Sequence, residues 1–160
     1  MTTARGLTNF ISDIRNCNNV EAEQKRVEKE MANIRQKFTG SSNLNAYQKK
    51  KYCWKLVYMF MLGYEVDFGH MEVIQLISSP KFTEKNTGYV ATTILLKSSD
   101  ELMTLVINSI RNDLVSEINW SQTLALSAIA NIGGAELAEA LSSDVQRLLV
   151  AHNTSAIARK

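Results

Sequence analysis

Apolar residues recur along this chain three and four positions apart, the spacing of one helix face, and nowhere alternate convincingly as a half-buried strand would. Leu7, Phe10, Ile11 and Ile14 mark a short helix over residues 4–17, which Asn18 and Asn19 break and cap. From Val20 to about Phe38 a longer amphipathic helix carries Val27, Met31, Ile34 and Phe38, with Glu21 and Lys25 paired on a polar face. The stripe is too short for a coiled coil, so it predicts packing against a neighbouring helix. A loop at Thr39 to Asn43 leads to a third helix, capped by Asn43 or Asn45, which runs to Leu62 and stops at Gly63. A connector from Glu65 to His70 precedes a short apolar helix over 71–77, and Ser78-Ser79-Pro80 ends it. Further helices are predicted over 83–96, over 101–112 behind a Ser98-Ser99-Asp100 cap, over 119–132 capped by Asn119, and over 135–150 after the Gly133-Gly134 turn.

The second half repeats. A shift of 35 residues sets Ile94 on Ile129, Glu101 on Glu136, Leu102 on Leu137 and Ile110 on Val145. The same shift aligns Trp54, Tyr89 and Leu124, and also Met59, Ile94 and Ile129. A helical hairpin recurring at that period is the signature of an α-solenoid, so the expected class is all-α, built from HEAT/armadillo-like hairpins. One Pro and seven Gly in 160 residues agree with long uninterrupted helices.

Composition alters this picture mainly through charge. The net charge of +2 conceals an asymmetry: residues 1–55 hold eleven Lys and Arg against five Asp and Glu, and the remainder holds seven against eleven. A basic N-terminal third points to an anionic partner for that end: membrane headgroups, nucleic acid or an acidic protein. A nucleic-acid solenoid should carry its cations along successive repeats, and here the later repeats are acidic. The N-terminus has no basic-then-apolar leader pattern, and no apolar run approaches the ~20 residues a spanning helix needs. Cys17 and Cys53 lack metal or redox spacing and read as reduced, buried small hydrophobes.

The sharpest local feature is Gln48-Lys49-Lys50-Lys51-Tyr52, set directly before the apolar run that starts at Cys53 and Trp54. Cations near a helix start oppose the helix dipole. They make sense if an anion sits between them and the free N–H groups, with Tyr47 and Tyr52 alongside. A solvated lysine run that merely keeps the chain soluble remains the competing reading. Other chemistry finds no support. Asp67-Phe68-Gly69 looks like a kinase magnesium triplet but has no Gly-rich loop or catalytic loop with it. His70 and His152 have no clustered metal ligands, and no Walker A, G-x-S-x-G or G-x-G-x-x-G motif occurs. The reading is therefore of a non-enzymatic chain with no cofactor.

Several stretches resemble the N-terminal part of the alpha-adaptins, large subunits of the plasma-membrane clathrin adaptor. They are Arg5-Gly6-Leu7, Phe10 to Cys17, Ala32-Asn33-Ile34-Arg35, Lys49-Lys50-Lys51-Tyr52, Asp67 to Glu72, Thr83-Glu84-Lys85 and Gly88-Tyr89. The gamma-adaptins share the general pattern but typically lack the triple lysine and the Asp-Phe-Gly-His stretch; they remain the alternative within the family. The resemblance covers about Arg5 to Val150 and implies an α-solenoid trunk with a role in clathrin-mediated endocytosis. It implies binding of phosphatidylinositol 4,5-bisphosphate by Arg5, Lys37, Tyr47, Lys49, Lys50, Lys51, Tyr52 and Lys55. It also implies a place for Arg15 beside the acidic position of dileucine cargo tails. Expected partners are the beta, mu and sigma adaptor subunits, with clathrin reached indirectly and no nucleic acid. The expected location is the cytosol and the cytoplasmic face of the plasma membrane, as a peripheral protein. Thr39 stands where relatives carry another lysine. Residues 1–160 read as one N-terminal segment of a longer trunk, so apolar surface is expected on the last helix, at Leu137, Leu141, Val145, Leu148 and Leu149.

Overall fold

A computed structural model describes residues 5–40, 44–97, 101–151 and 156–159. These residues form nine α-helices and no strand: α1 (Arg5–Arg15), α2 (Val20–Thr39), α3 (Ala46–Met61), α4 (His70–Ile77), α5 (Phe82–Leu95), α6 (Met103–Leu114), α7 (Asn119–Ile132), α8 (Ala135–Val150) and α9 (Ala156–Arg159).

The helix starts follow local chemistry. Asn19 accepts from the Ala22 N–H at 2.7 Å and opens α2. Asn45 and Gln48 open α3 with a reciprocal capping box. The alternative cap at Asn43, and the predicted Ser98-Ser99-Asp100 cap, lie outside the described residues. α6 begins at Met103, two residues later than its pattern suggests, because 101 and 102 form a turn. Asn119 is the first residue of α7, and its side chain makes no capping bond. The preceding turn is instead held by Gln122, whose amide donates to the Ser116 carbonyl at 2.7 Å.

Odd-numbered and even-numbered helices form two layers. Among the odd helices α1 packs on α3, α3 on α5, α5 on α7 and α7 on α9; among the even ones α4 packs on α6 and α6 on α8. Successive helices are antiparallel. Phe38, near the end of α2, meets Tyr52 near the start of α3, while Glu23 meets Tyr64 beyond its end. Lys85 and Tyr89 of α5 reach Asp113 at the far end of α6. The odd helices therefore run parallel, as the 35-residue repeat requires. The Trp54 indole N–H of α3 reaches Thr87 Oγ1 of α5 at 3.2 Å. This is the α-solenoid expected from the sequence.

Two glycines set the spacing of the layers. Gly69 caps α4 at φ +85°, and a Cβ there would lie 2.6 Å from Leu56 Cδ1. Gly88, inside α5, faces the α4 backbone so closely that a Cβ would lie 2.6 Å from Ile77 N. The expected apolar stripe on α8 is partly covered. Leu137 and Leu141 are buried against earlier helices, while Leu149 and Val150 are exposed. A cavity of about 300 Å³ remains between Ile129, Leu141, Val145 and Leu149.

Candidate functional site

Because the odd helices run parallel and the even ones antiparallel to them, α1 and α3 start where α2 and α4 end. This edge gathers most of the basic residues singled out in the sequence. Arg5 opens α1, and the neighbouring Gly6 lies against the Lys51 side chain: a Cβ there would be 3.4 Å from Lys51 Cδ. Lys51 Nζ then sits 4.6 Å from the centre of the Tyr52 ring. Lys49 Nζ donates to Gln75 Oε1 of α4 at 2.7 Å, a neutral partner that orients the ammonium without neutralising it. Lys50 is half-buried and Tyr47 is exposed. Lys37 occupies the last turn of α2, beside Phe38. Among the described residues none of Arg5, Lys49, Lys50 and Lys51 forms an ion pair with a carboxylate. Three of these cations lie in the first two turns of α3 and the fourth opens α1 beside them, Lys49 leaning to α4 and Lys51 to α1.

The helix start contributes less than the sequence suggests. The capping box uses the Gln48 N–H, which donates to Asn45 Oδ1 at 2.9 Å, and the Lys49 N–H already bonds Asn45 O at 3.0 Å. The lysines follow the capped first turn, so the anion-attracting groups here are ammoniums more than backbone N–H.

Two of the named residues face inward. Tyr52 is buried, its ring edge-on to Phe38 at 5.9 Å, so it braces Lys51 from beneath. Lys55 is 6% exposed and its Nζ donates to Glu30 Oε1 at 2.5 Å, with the Phe10 ring 5.3 Å away. Glu30 also takes Arg26 at 2.9 Å, and Arg26 extends to Asp13 at 3.1 Å. Burial would push the Glu30 carboxyl up, but hydrogen bonds from Lys55 and Arg26 outweigh it and hold it below its ordinary value. Lys55 therefore ties α3 to α2, and its head is not presented at the basic edge. Thr39, which the resemblance sets where a lysine is expected, donates to the Arg35 carbonyl at 2.9 Å and adds no charge.

Arg15 stands apart. It lies ten residues along α1 from Arg5, about 15 Å at helical rise, exposed at the opposite end of the layer. The Asp67-Phe68-Gly69 stretch has an architectural part to play. Arg35 bonds Asp67 at 2.8 Å and lies 4.5 Å over the Phe68 ring, locking the α4 entrance to α2. Cys53 is buried, and burial followed by the nearby charge of Glu72 pushes its thiol up to about 12, so it stays protonated and inert. Sequence reasoning missed Gln75, which sits 26 residues from Lys49 and carries no local signal. Among the described residues no helix is long and apolar enough to cross a membrane, and no cluster of His, Cys, Asp and Glu could hold a metal.

Comparison with known proteins gives this edge a context. Residues 23–160 match the family described as the adaptin N terminal region. The AP-2 complex subunit alpha-2 of Dictyostelium discoideum is 54% identical over 159 residues, covering 99% of this chain and 16% of that protein. The AP-2 complex subunit alpha-1 of Arabidopsis thaliana is 50% identical over 160 residues, again 16% of its length. The AP-1 complex subunit gamma-1 of Schizosaccharomyces pombe is 38% identical over 147 residues and 17% of its length. This chain thus spans about a sixth of the relatives it matches.

Proposed function

This chain belongs to the adaptin family and stands with its alpha-type members, and from that premise we propose that its basic edge docks on phosphatidylinositol 4,5-bisphosphate in the cytoplasmic leaflet of the plasma membrane. Arg5, Lys49, Lys50 and Lys51 contact the phosphates in this reading. Lys37 adds charge from α2, Tyr47 flanks the site, and Tyr52 supports Lys51 from below. The observation that supports it is that Arg5, Lys49, Lys50 and Lys51, on the adjoining starts of α1 and α3, form no ion pair with a carboxylate among the described residues, whereas a surface kept basic only for solubility would intersperse acids. The chain acts here without catalysis, as part of an adaptor large subunit in clathrin-mediated endocytosis. It supports beta, mu and sigma subunits, and Arg15 faces dileucine-type cargo from the far end of α1.

The test is binding to vesicles with and without phosphatidylinositol 4,5-bisphosphate at fixed salt. Basic residues at an anionic membrane contribute about 1 kcal/mol each, so Lys49→Glu with Lys50→Glu should weaken binding at least about tenfold. Unchanged binding of that double variant, or equal affinity for a polynucleotide at the same salt, would end this reading.

A further inference from the structure

The edge that holds the basic cluster continues past it. α5 and α7 start on the same side as α1 and α3, and their first turns carry apolar groups in water. Phe82, the first residue of α5, is 48% exposed, and its ring meets that of Trp120 of α7 edge-on at 5.4 Å. Ile118, just before α7, is 47% exposed, as is Tyr47 in the first turn of α3. Lys81 lies beside Phe82 with three-quarters of its side chain in solvent. Its nearest acid, Glu84, is almost buried, 3.7 Å away, and accepts a hydrogen bond from Ser79. The first turn of α5 buries Glu84 and Lys85 and leaves Phe82 half in solvent, its ring partner being Trp120.

We propose that this rim, Tyr47, Phe82, Ile118 and Trp120 with Lys81 among them, is an apolar anchor that enters the headgroup–acyl boundary of an anionic bilayer. The proposal rests on the basic cluster being a phosphoinositide site and extends the contact two helices further. Spacing favours a surface over a single ligand. Helices in one layer pack about 8–10 Å apart, so α3 and α7 are separated by about 20 Å, beyond one headgroup. Charge favours it too: Arg5, Lys49, Lys50, Lys51 and Lys81 line the rim against the exposed acid Glu117. Amphipathic rings beside lysines are the residues that settle at a membrane interface, where the ring is dehydrated while the cation meets phosphate.

Trp54→Phe leaves Trp120 as the one tryptophan of the chain. The probe is vesicles of phosphatidylcholine, phosphatidylserine and phosphatidylinositol 4,5-bisphosphate with brominated acyl chains. Trp120 emission should shift to the blue and be quenched on binding. In the otherwise unaltered chain, Phe82→Ser should weaken vesicle binding about threefold while leaving binding of soluble inositol 1,4,5-trisphosphate unchanged. Vesicle-bound protein with unquenched Trp120, together with full affinity of Phe82→Ser, overturns the anchor and leaves the basic site standing. Failure to bind either the vesicles or the trisphosphate overturns the basic site and the anchor with it.

Discussion

Replacing Glu30 with methionine should destabilise the chain severely, and the reason lies in what it strands. Glu30 is 7% exposed and Lys55 6%, so the pair is shielded from solvent at the junction of α2 and α3. Removing the carboxylate leaves the Lys55 ammonium among Phe10 and its apolar neighbours with no counter-charge. Breaking a buried pair from one side costs about 3–5 kcal/mol, against a typical stability of about 5–15 kcal/mol. At about 2–4 °C per kcal/mol for a chain of this size, the midpoint should fall by roughly 10 °C. Exchanging both partners for methionine should recover most of that, because the desolvation cost of both ions disappears with them. Thermal melts followed by circular dichroism supply the measurement, and pH supplies a second axis. The Glu30 carboxyl titrates below its ordinary value when folded, so its stabilisation is present above that ordinary value and lost as pH falls through the lower one. The gap between the parent chain and Glu30→Met should therefore close in acid. The Glu30→Met/Lys55→Met pair also separates two roles for Lys55. A structural lysine leaves phosphoinositide-vesicle binding of the double variant unchanged. A midpoint within about 2 °C of the parent for Glu30→Met, or a double variant that loses vesicle binding as Lys49→Glu/Lys50→Glu should, would refute the assignment.

Gly88→Ala forces a Cβ to within 2.6 Å of Ile77 N and 2.9 Å of Leu76 C, both backbone atoms. It should cost about 1–3 kcal/mol in denaturant unfolding, and an unaltered midpoint would show that α4 and α5 can part freely. Asp113→Asn leaves Lys85 buried beside a neutral group where it now bonds both oxygens, at 2.6 and 2.7 Å. A loss of about 3 kcal/mol or more is expected, with Tyr89→Phe costing about 1 kcal/mol for its hydrogen bond to the same carboxylate; equal losses would contradict that ranking. Arg15→Ser should weaken dileucine-peptide binding by a complex reconstituted with beta, mu and sigma subunits while phosphoinositide binding holds, and intact peptide binding would remove Arg15 from the cargo reading.

What the sequence made legible, and what it hid, divides along one physical line. Helices announce themselves through contacts a few residues apart. The stripe of α2, the cap at Asn45 (one of two residues the sequence offers) and the succession of helices were readable, and the structure has all three. Pairings between helices join residues 25 to 33 positions apart: Glu30 with Lys55, Lys85 with Asp113, Arg111 with Asp144. No local pattern marks them. Lys55 shows the consequence. The resemblance places it with Lys49, Lys50 and Lys51, yet it is one turn past Lys51, where α3 has already entered the core beneath α1 and α2. At that depth an ammonium keeps its charge only beside a carboxylate, and Glu30 supplies it. The basic edge therefore ends between Lys51 and Lys55 because the helix descends, while the composition stays basic. The same geometry gives the edge its continuation. Every odd helix must surface on this side, so whatever residues open α5 and α7 join it, here Lys81, Phe82 and Trp120 in place of a further lysine run. A surface assembled from one turn of each of several helices is written at the repeat period, and its chemistry changes from repeat to repeat while its position does not.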